Sequence, residues 1–301
     1  MDFRQLQYIM AVAEHQNITR AAAALYISQP SLSHFIARTE DELGVKLFDR
    51  STSPLKLTYA GEQYLKNAQE ILRVKDRMMS EFRDISGNMK GRLHVGVPHE
   101  RAAYMLPLIL PQFKRRYPGI DVDVDVTHTH RLLDYLSRGR VDFAILPCFP
   151  DSGFETMEVY RERLVLAAPP RLIDERHRVD GVSMTVDPRT LGDLPFILSK
   201  KGHGLFRRVG EFLAEYSLSP QTVFESTSNI TSLRLAAAGL GVAIVPEMTT
   251  RLAQCPAAPE IYRIGVPSLE WSIALHYRKD AYVGDVERAF FEAARNAFEE
   301  G

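Results

Sequence analysis

The chain has 301 residues, 45% of them hydrophobic, and a formal net charge of −1, so it is long enough for two or three domains with real cores. It has no N-terminal signal segment and no apolar run approaching the roughly 20 residues that span a bilayer, which argues against secretion and membrane insertion and predicts a cytoplasmic protein. The two cysteines, Cys148 and Cys255, predict neither a disulfide framework nor a zinc site. They are interpreted as reduced thiols, with a redox-sensing pair as the alternative.

The first part of the chain predicts three short helices. Apolar residues at helical spacing predict the first over residues 3–13. Asn17 is a good N-cap for a second, alanine-rich helix, and Ser28 caps a third, with Pro30 in its first turn where a missing N–H costs nothing. Two helices joined by a turn of about three residues form the helix-turn-helix pattern, whose second helix enters a DNA major groove.

The third predicted helix is amphipathic at about 100° per residue, and the outward face near its N-terminus is small and polar. We expect its inward face to consist of Leu32, Phe35, Ile36, Thr39 and Leu43. Gly44 then ends the helix, and residues 45–58 contain two short extended runs. This pattern predicts a wing.

A long helix is predicted from its N-cap at Thr58 to Ile85, a length of roughly 40 Å at about 1.5 Å per residue. Side chains that step alternately by four and three residues mark a coiled-coil seam, which predicts a dimer contact. With Lys75 between Ile71 and Met78, this spacing is followed by the residues predicted to form the contact: Tyr64, Ala68, Ile71, Met78, Phe82 and Ile85. Residues 86–91 then predict a hinge.

Strand and helix patterns alternate after this hinge, which predicts parallel pairing with right-handed crossovers. The first set comprises strands at 93–97, 121–127 and 141–146, with helices at 104–116 and 131–138. The second set comprises strands at 163–169, 195–199, 222–226, 242–246 and 271–277, with helices at 205–216, 230–238 and 283–298. Two parallel-sheet lobes are therefore expected.

The runs AAAAL (21–25), SQPSLS (28–33), KLFDR (46–50) and LKLT (55–58) resemble the DNA-binding region of the LysR-type transcriptional regulators, densely from Phe3 to about Leu65. The stretches YPGIDVDV, LLDYLSRGRVDFAI and AAAGLGVAIVPE resemble the effector domain of the same family, which is similar to periplasmic binding proteins. Two departures stand out. Thr39 lies where the family often has leucine, and the wing has Lys56 where many members have more arginine.

The resemblance implies that the groove is faced by Gln29, Pro30, Ser31, Ser33 and His34, and that Arg50 and the wing contact phosphates. The placement of Arg20, Arg38 and Lys56 adds them to the predicted DNA-binding set. An alternative is a helical bundle used only for protein contacts, because residues 1–90 contain twelve Lys and Arg against eleven Asp and Glu, whereas phosphate binding usually leaves a basic footprint.

Four polar stretches follow predicted strands or precede predicted helices, where open parallel sheets bind ligands and helix N-termini favour anions. The predicted effector-binding residues are Pro98, His99, Glu100, Arg101, His128, Thr129, Ser199, Lys200, His203 and Asn229. By resemblance, Thr129, Ser199 and Asn229 match polar positions that commonly line the family's cleft. Cationic and hydroxyl side chains suit a small carboxylate or phosphate. Lys200 and Lys201 are equally compatible with a solvated loop, and a metal at His128 and His130 would need a third ligand that is not evident.

The predicted architecture is α/β and multidomain. It consists of a winged helix-turn-helix DNA-binding domain (1–58), a linker and dimerisation helix with a hinge (59–90), and a two-lobed effector domain of the type 2 periplasmic-binding-like fold (91–301). Its first lobe is expected at 91–162 and 268–301 and its second at 163–267.

The predicted function is that of a homodimeric or homotetrameric regulator without a cofactor. Its partners are double-stranded DNA at dyad-symmetric promoter sites and a small effector, for which a carboxylate is favoured. The alternatives are a transport-type binding protein and an enzyme with an N-terminal interaction domain. No nucleophile elbow, zinc-protease motif or phosphate-binding loop supports an enzyme.

Overall fold

A computed structural model of the chain describes residues 2–86, 90–149, 152–255 and 257–299. The chain divides after Ser86 into two units, and each has its own hydrophobic core. Residues 87–89 of the predicted hinge lie outside the described residues.

The N-terminal unit is a helical bundle with a short two-stranded wing. Its elements are α1 (Phe3–His15), α2 (Ile18–Ala24), α3 (Gln29–Leu43), β1 (Phe48–Asp49), β2 (Lys56–Leu57) and α4 (Tyr59–Ile85). The predicted caps at Asn17, Ser28 and Thr58 are confirmed, because each side chain accepts a hydrogen bond from a backbone N–H of the first helical turn. β1 and β2 pair antiparallel and form the predicted wing.

The inward face of α3 differs from the prediction at its C-terminal end. Leu32, Ile36 and Thr39 are buried as expected, but the inward placement of Leu43 is wrong, since this residue is 46% exposed. Glu40 points inward instead and is 1% exposed. Its carboxylate accepts hydrogen bonds from the backbone amides of Leu47 and Phe48, so burying this charged side chain satisfies the backbone that leads into the wing.

The wing and α4 are in close contact at Gly61. A Cβ on this residue would overlap the carbonyl oxygen of Leu47, so only glycine permits the approach. The Thr58 hydroxyl also donates to the carbonyl of Lys46 at 2.6 Å. The start of α4 is therefore held against the segment that connects α3 to β1.

The C-terminal unit contains the α/β elements. They are β3 (Gly91–Val97), α5 (His99–Arg116), β4 (Ile120–Val126), α6 (Thr129–Arg138), β5 (Phe143–Pro147), β6 (Glu155–Ala168), β7 (Thr185–Val186), β8 (Phe196–Ser199), α7 (Gly204–Glu215), β9 (Thr222–Ser226), α8 (Asn229–Ala237), β10 (Val242–Pro246), α9 (Glu247–Leu252), β11 (Glu260–Ile264), β12 (Glu270–Tyr277) and α10 (Asp285–Glu299). Short 3₁₀ helices span Glu175–His177 and Pro188–Asp193.

The strand order is β4-β3-β5-β12-β6-β10-β8-β9, and β11 pairs with β6 and with β7. The predicted parallel pairing of β3 with β4 and β5 is confirmed, and β8 pairs parallel with β9 and β10. The expectation of purely parallel lobes is wrong, because β6 and β12 pair antiparallel with each other and with further strands. The helix predicted from Tyr104 begins earlier, at His99, and contains both Pro107 and Pro111.

β6 changes its partners along its length. Up to Arg163 it pairs with β12, and from Leu164 onward it pairs with β10 and β11. The strands β3, β4, β5 and β12 with α5, α6 and α10 form the first lobe, and β7 to β11 with α7, α8 and α9 form the second. One continuous strand therefore belongs to both lobes.

Candidate functional site

The N-terminal half of α3 presents a polar, exposed surface. The residues predicted to contact DNA are exposed, except Ser33, which is half-buried: Arg20, Gln29, Pro30, Ser31, His34, Arg38, Arg50 and Lys56. Ser28 and Ser31 share a hydrogen bond of 2.7 Å between their hydroxyls at the start of the helix. Gln29, Pro30, Ser31 and His34 are thus exposed in the first turns of α3, and their contact with a DNA groove stays a prediction.

Several cations near this surface are paired with carboxylates of α3. Glu40, whose side chain is fully buried, lies 3.1 Å from the Lys46 ammonium and 3.6 Å from the Arg50 guanidinium. Arg38 donates to Glu42 at 3.0 Å, and this bond is the main reason that the pKa of Glu42 is lowered. Glu40 was not predicted to have a structural role, because a lone glutamate on a helix is usually solvated.

The residues of the predicted coiled-coil seam divide into two groups. Ala68 is 1% exposed and Tyr64 is half-buried, and both contact their own unit. Ile71, Met78, Phe82 and Ile85 are exposed, as are Val74 and Met79, which were not predicted. The C-terminal half of α4 therefore carries an exposed apolar stripe within the described N-terminal unit.

A cleft of about 560 Å³ lies between the two lobes of the C-terminal unit. The N-termini of α5, α6, α7 and α8 all reach it. Its lining consists of Pro98, His99, Glu100, Arg101, Thr127, His128, Thr129, His130, Pro147, Lys201, Gly202, His203, Gly204, Thr227, Ser228, Asn229, Ile230, Met248 and Trp271. Because a helix N-terminus carries unpaired N–H groups, this convergence favours negative charge in the cleft.

Most of the residues predicted to bind an effector line this cleft, but Ser199 and Lys200 do not. β8 ends at Ser199, and the following turn places Lys201 at the cleft instead. Sequence reasoning also missed Pro147, Met248 and Trp271, which come from strand ends and a helix start far apart in the chain. Apolar residues of this kind give no signal that separates them from the core.

Histidines form one wall of the cleft. The rings of His99 and His128 are 5.6 Å apart, and those of His128 and His130 stack at 6.0 Å. Burial lowers the pKa of His203 and so favours its neutral form. Among the described residues, no group of three or more His, Cys, Asp or Glu side chains is placed to hold a metal ion.

The Arg101 guanidinium is buried beside the cleft in a hydrogen-bonded cluster. It donates to Glu162 at 3.2 Å and to the Tyr160 hydroxyl at 2.9 Å, and it lies 5.3 Å from the ring of Trp271. Burial is the largest single effect on the pKa of Arg101 and would lower it, but the charges and hydrogen bonds of Glu162 and Tyr160 together raise it. Glu162 also accepts from the Trp271 indole and the Met248 amide, so the positive charge of Arg101 is compensated internally.

Two polar side chains in the cleft are buried without a protein partner. Thr129 is 9% exposed and Asn229 is 7% exposed. Within the described residues, neither the Thr129 hydroxyl nor the Asn229 side-chain amide is hydrogen-bonded to protein, although both line the cleft. Because these polar groups face the cleft and are not used by the protein, they mark positions where a ligand can be hydrogen-bonded.

Neither cysteine lines the cleft. Cys148 is exposed, Cys255 is half-buried, and both are free thiols. In the described part of the chain, no helix combines the length and apolar character needed to cross a membrane.

Two family models match the chain. The model described as the LysR substrate binding domain matches residues 86–299, and the model described as the bacterial regulatory helix-turn-helix protein of the lysR family matches residues 3–62. Among curated relatives, the uncharacterized HTH-type transcriptional regulator YcgK of Bacillus subtilis is 30% identical over 319 residues, covering 100% of this chain and 97% of the relative. The DNA-binding transcriptional dual regulator OxyR of Escherichia coli is 31% identical over 287 residues, covering 92% and 90%.

Solved structures of full-length proteins are similar as well. A full-length OxyR variant from Pseudomonas aeruginosa matches with a TM-score of 0.73 and 26% identity, covering 99% of this chain and 94% of that one. Full-length CbnR complexed with its target DNA matches with a TM-score of 0.63 and 26% identity, covering 99% and 100%.

Proposed function

Because the chain belongs to the LysR family of transcriptional regulators, we propose that it binds dyad-symmetric promoter DNA as an oligomer under the control of a small anionic effector. The observation that carries the effector half of this proposal is the pair of buried, unpartnered polar side chains, Thr129 and Asn229, in a cleft that four helix N-termini reach. Because the target is chromosomal DNA, we place the protein in the cytoplasm.

DNA recognition is assigned to the N-terminal half of α3. Gln29, Ser31, Ser33 and His34 are short or planar hydrogen-bonding side chains of the kind that read base edges in the major groove. Arg20, Arg38, Arg50 and Lys56, with Pro30 shaping the first turn, are assigned to the phosphates or to the edge of the groove. Arg38 is paired with Glu42 and Arg50 with Glu40, so each must leave its carboxylate partner before it can neutralise a phosphate.

Self-association is assigned to the exposed stripe of α4. Met78, Phe82 and Ile85 are 48%, 60% and 80% exposed at helical spacing, and a second copy of the same helix would cover them. A dimer formed in this way carries two recognition helices and therefore prefers a site with dyad symmetry. Pairing of two such dimers would give a homotetramer.

The effector is assigned as an anion, with a carboxylate favoured. Lys201 lines the cleft, and no ion pair involves it among the described residues. The hydroxyl of Thr129, the amide of Asn229 and the neighbouring histidines supply hydrogen bonds to an acid group. The charge of Arg101 is compensated by Glu162. The attraction for the anion is therefore assigned to Lys201 and to the N-termini of α6 and α7.

Control of DNA binding follows from different affinities of the effector for two arrangements of the oligomer. An effector that binds one relative position of the two lobes more tightly shifts the population toward it. By linkage, DNA must then change the effector's affinity by the same factor. An effector bound equally well with and without DNA would contradict this mechanism.

The test is selection of duplex fragments from the source genome by the purified full-length protein at near-physiological salt, followed by sequencing. We expect a dyad-symmetric site to be enriched. The change Gln29→Ala should relax sequence preference, whereas Arg50→Ala should weaken all duplexes alike and flatten the salt dependence. Retention that is absent, or independent of sequence, would refute the assignment of α3 as the recognition helix.

A further inference from the structure

The Glu100 carboxylate joins the two lobes across the cleft. It belongs to the first turn of α5 in the first lobe, and its partners are at the start of α8 in the second. Oε1 accepts a hydrogen bond from the Ser228 hydroxyl at 2.7 Å and from the Ile230 amide at 3.2 Å. Oε2 accepts from the Asn229 amide at 3.3 Å. The arrangement is that of an anion bound at a helix N-terminus.

The donors at the start of α8 are all used in this arrangement. The amides of Asn229 and Ile230 donate to Glu100, and the Thr231 amide donates to the Ser228 hydroxyl oxygen at 3.1 Å. The amide of the N-cap residue, Ser228, donates to the Ser226 hydroxyl oxygen at 3.0 Å. A helix leaves four N–H groups unpaired at its start, and here each has a partner within the chain. An effector acid group therefore finds no free backbone donor at α8.

The start of α6 on the opposite wall is different. Its N-cap residue, His128, makes no side-chain capping bond, and the hydroxyl of the largely buried Thr129 beside it faces the cleft without a protein partner among the described residues. Gly204 at the start of α7 lies against the same place, since a Cβ there would be 3.3 Å from the Thr129 hydroxyl oxygen. Lys201 lines the cleft just before α7. This part of the cleft therefore offers hydrogen-bond donors and a cation.

We propose that Glu100 is an anion supplied by the chain itself, which fills the α8 N-terminus and fastens the two lobes together. The acid group of an effector is consequently directed to the other end of the cleft, at His128, Thr129 and Lys201. Only this second statement rests on the proposed function. The first concerns the folded protein and holds whether or not DNA is bound.

The test is rescue of a Glu100→Ala protein by free acetate. Trp271 is the single tryptophan of the chain and lines the cleft, so its fluorescence follows both unfolding of the C-terminal unit and ligand binding. Removing the carboxylate leaves the amides of Asn229 and Ile230 unpaired, and we expect the midpoint of thermal unfolding to fall by roughly 3–8 °C. Acetate, at constant ionic strength set with sodium chloride, should raise that midpoint saturably and at least twice as far as it raises the wild-type midpoint.

Matched variants separate the two ends of the cleft. Glu211→Ala removes an exposed carboxylate that pairs with Arg207 on α7, and it should respond to acetate as the wild type does. Glu100→Gln keeps the side-chain volume, so it should lose part of the stability but gain no acetate response. Thr129→Val should reduce the rise in unfolding midpoint that acetate causes in the wild type. When it is combined with Glu100→Ala, the additional rise caused by Glu100→Ala should remain.

Equal acetate responses in the wild type and in Glu100→Ala would overturn the proposal, as would a Glu100→Gln protein with wild-type stability. If Glu100→Ala does not fold, Glu100→Gln decides the outcome by its own loss of stability. A failure of this kind leaves the DNA selection experiment unaffected. Conversely, absence of sequence-selective DNA binding would leave the acetate result standing.

Discussion

Substitution of Glu40 distinguishes the roles of its two carboxylate oxygens. Oε1 accepts from the amides of Leu47 and Phe48 at 2.9 and 3.3 Å, whereas Oε2 faces Lys46 and Arg50. Glu40→Ala leaves both buried amides without an acceptor and should cost about 3–5 kcal/mol of unfolding free energy. Glu40→Gln keeps a carbonyl oxygen in place of Oε1 and loses only the ionic side, so it should cost about 1–2 kcal/mol.

Hydrogen exchange followed by mass spectrometry on the full-length protein measures this directly in the segment 45–50. A loss of 3–5 kcal/mol corresponds to exchange that is faster by roughly 10²–10⁴-fold. Glu42→Ala is the matched control, because Glu42 lies on the same helix but its ion pair with Arg38 is exposed, and exchange should change little. If Glu40→Ala and Glu40→Gln increased the exchange rate equally, the separate roles assigned to Oε1 and Oε2 would be refuted.

Three further outcomes are expected. Burial lowers the pKa of His276 to about 4, so this ring is protonated near pH 6.5 in the unfolded chain but not in the folded chain. The contribution to stability is complete above pH 6.5, and the free energy of unfolding should fall by roughly 3 kcal/mol as the pH approaches 4. Denaturant unfolding followed through Trp271 should show a flatter pH dependence for His276→Gln than for the wild type. Phe82→Asp places a charge in the proposed seam, so it should raise the dissociation constant for self-association by at least about tenfold, as measured by sedimentation velocity. The control Asn67→Ala on the same helix should leave that constant unchanged. Gly61→Ala should destabilise the N-terminal unit by about 1–3 kcal/mol in thermal unfolding, because the added Cβ meets the Leu47 carbonyl. An unfolding midpoint equal to that of the wild type would show instead that the wing can move away from α4.

The N-terminal unit could be predicted nearly completely from sequence. Asn17, Ser28 and Thr58 are local signals, because a capping side chain bonds to an amide only a few residues away. Leu43 and Glu40 were beyond such reasoning. Helical periodicity assigns leucine to the core and glutamate to solvent, and only the approach of the wing amides reverses this order.

The cleft could be predicted in part. Polar residues such as Thr129 and Asn229 follow or precede recognisable elements, so their position at one edge of the sheets is expected from topology. The bond between Glu100 and Ser228 joins residues 128 positions apart, and it depends on how the two lobes face each other. No local pattern contains that information, and the same holds for Trp271 and Met248.

The continuity of β6 has a mechanical consequence. Within the described residues, the chain passes between the lobes at Arg163–Leu164 and again over residues 264–270, and the two passages are bonded to each other, since the Leu164 amide donates to the Leu269 carbonyl at 2.9 Å. Rotation of one lobe against the other must therefore twist two segments that are hydrogen-bonded to each other. We expect this pair to resist rotation more than two unpaired loops would. This resistance favours small rotations of the lobes, and a ligand that changes the angle between the lobes must supply the free energy to twist the two segments.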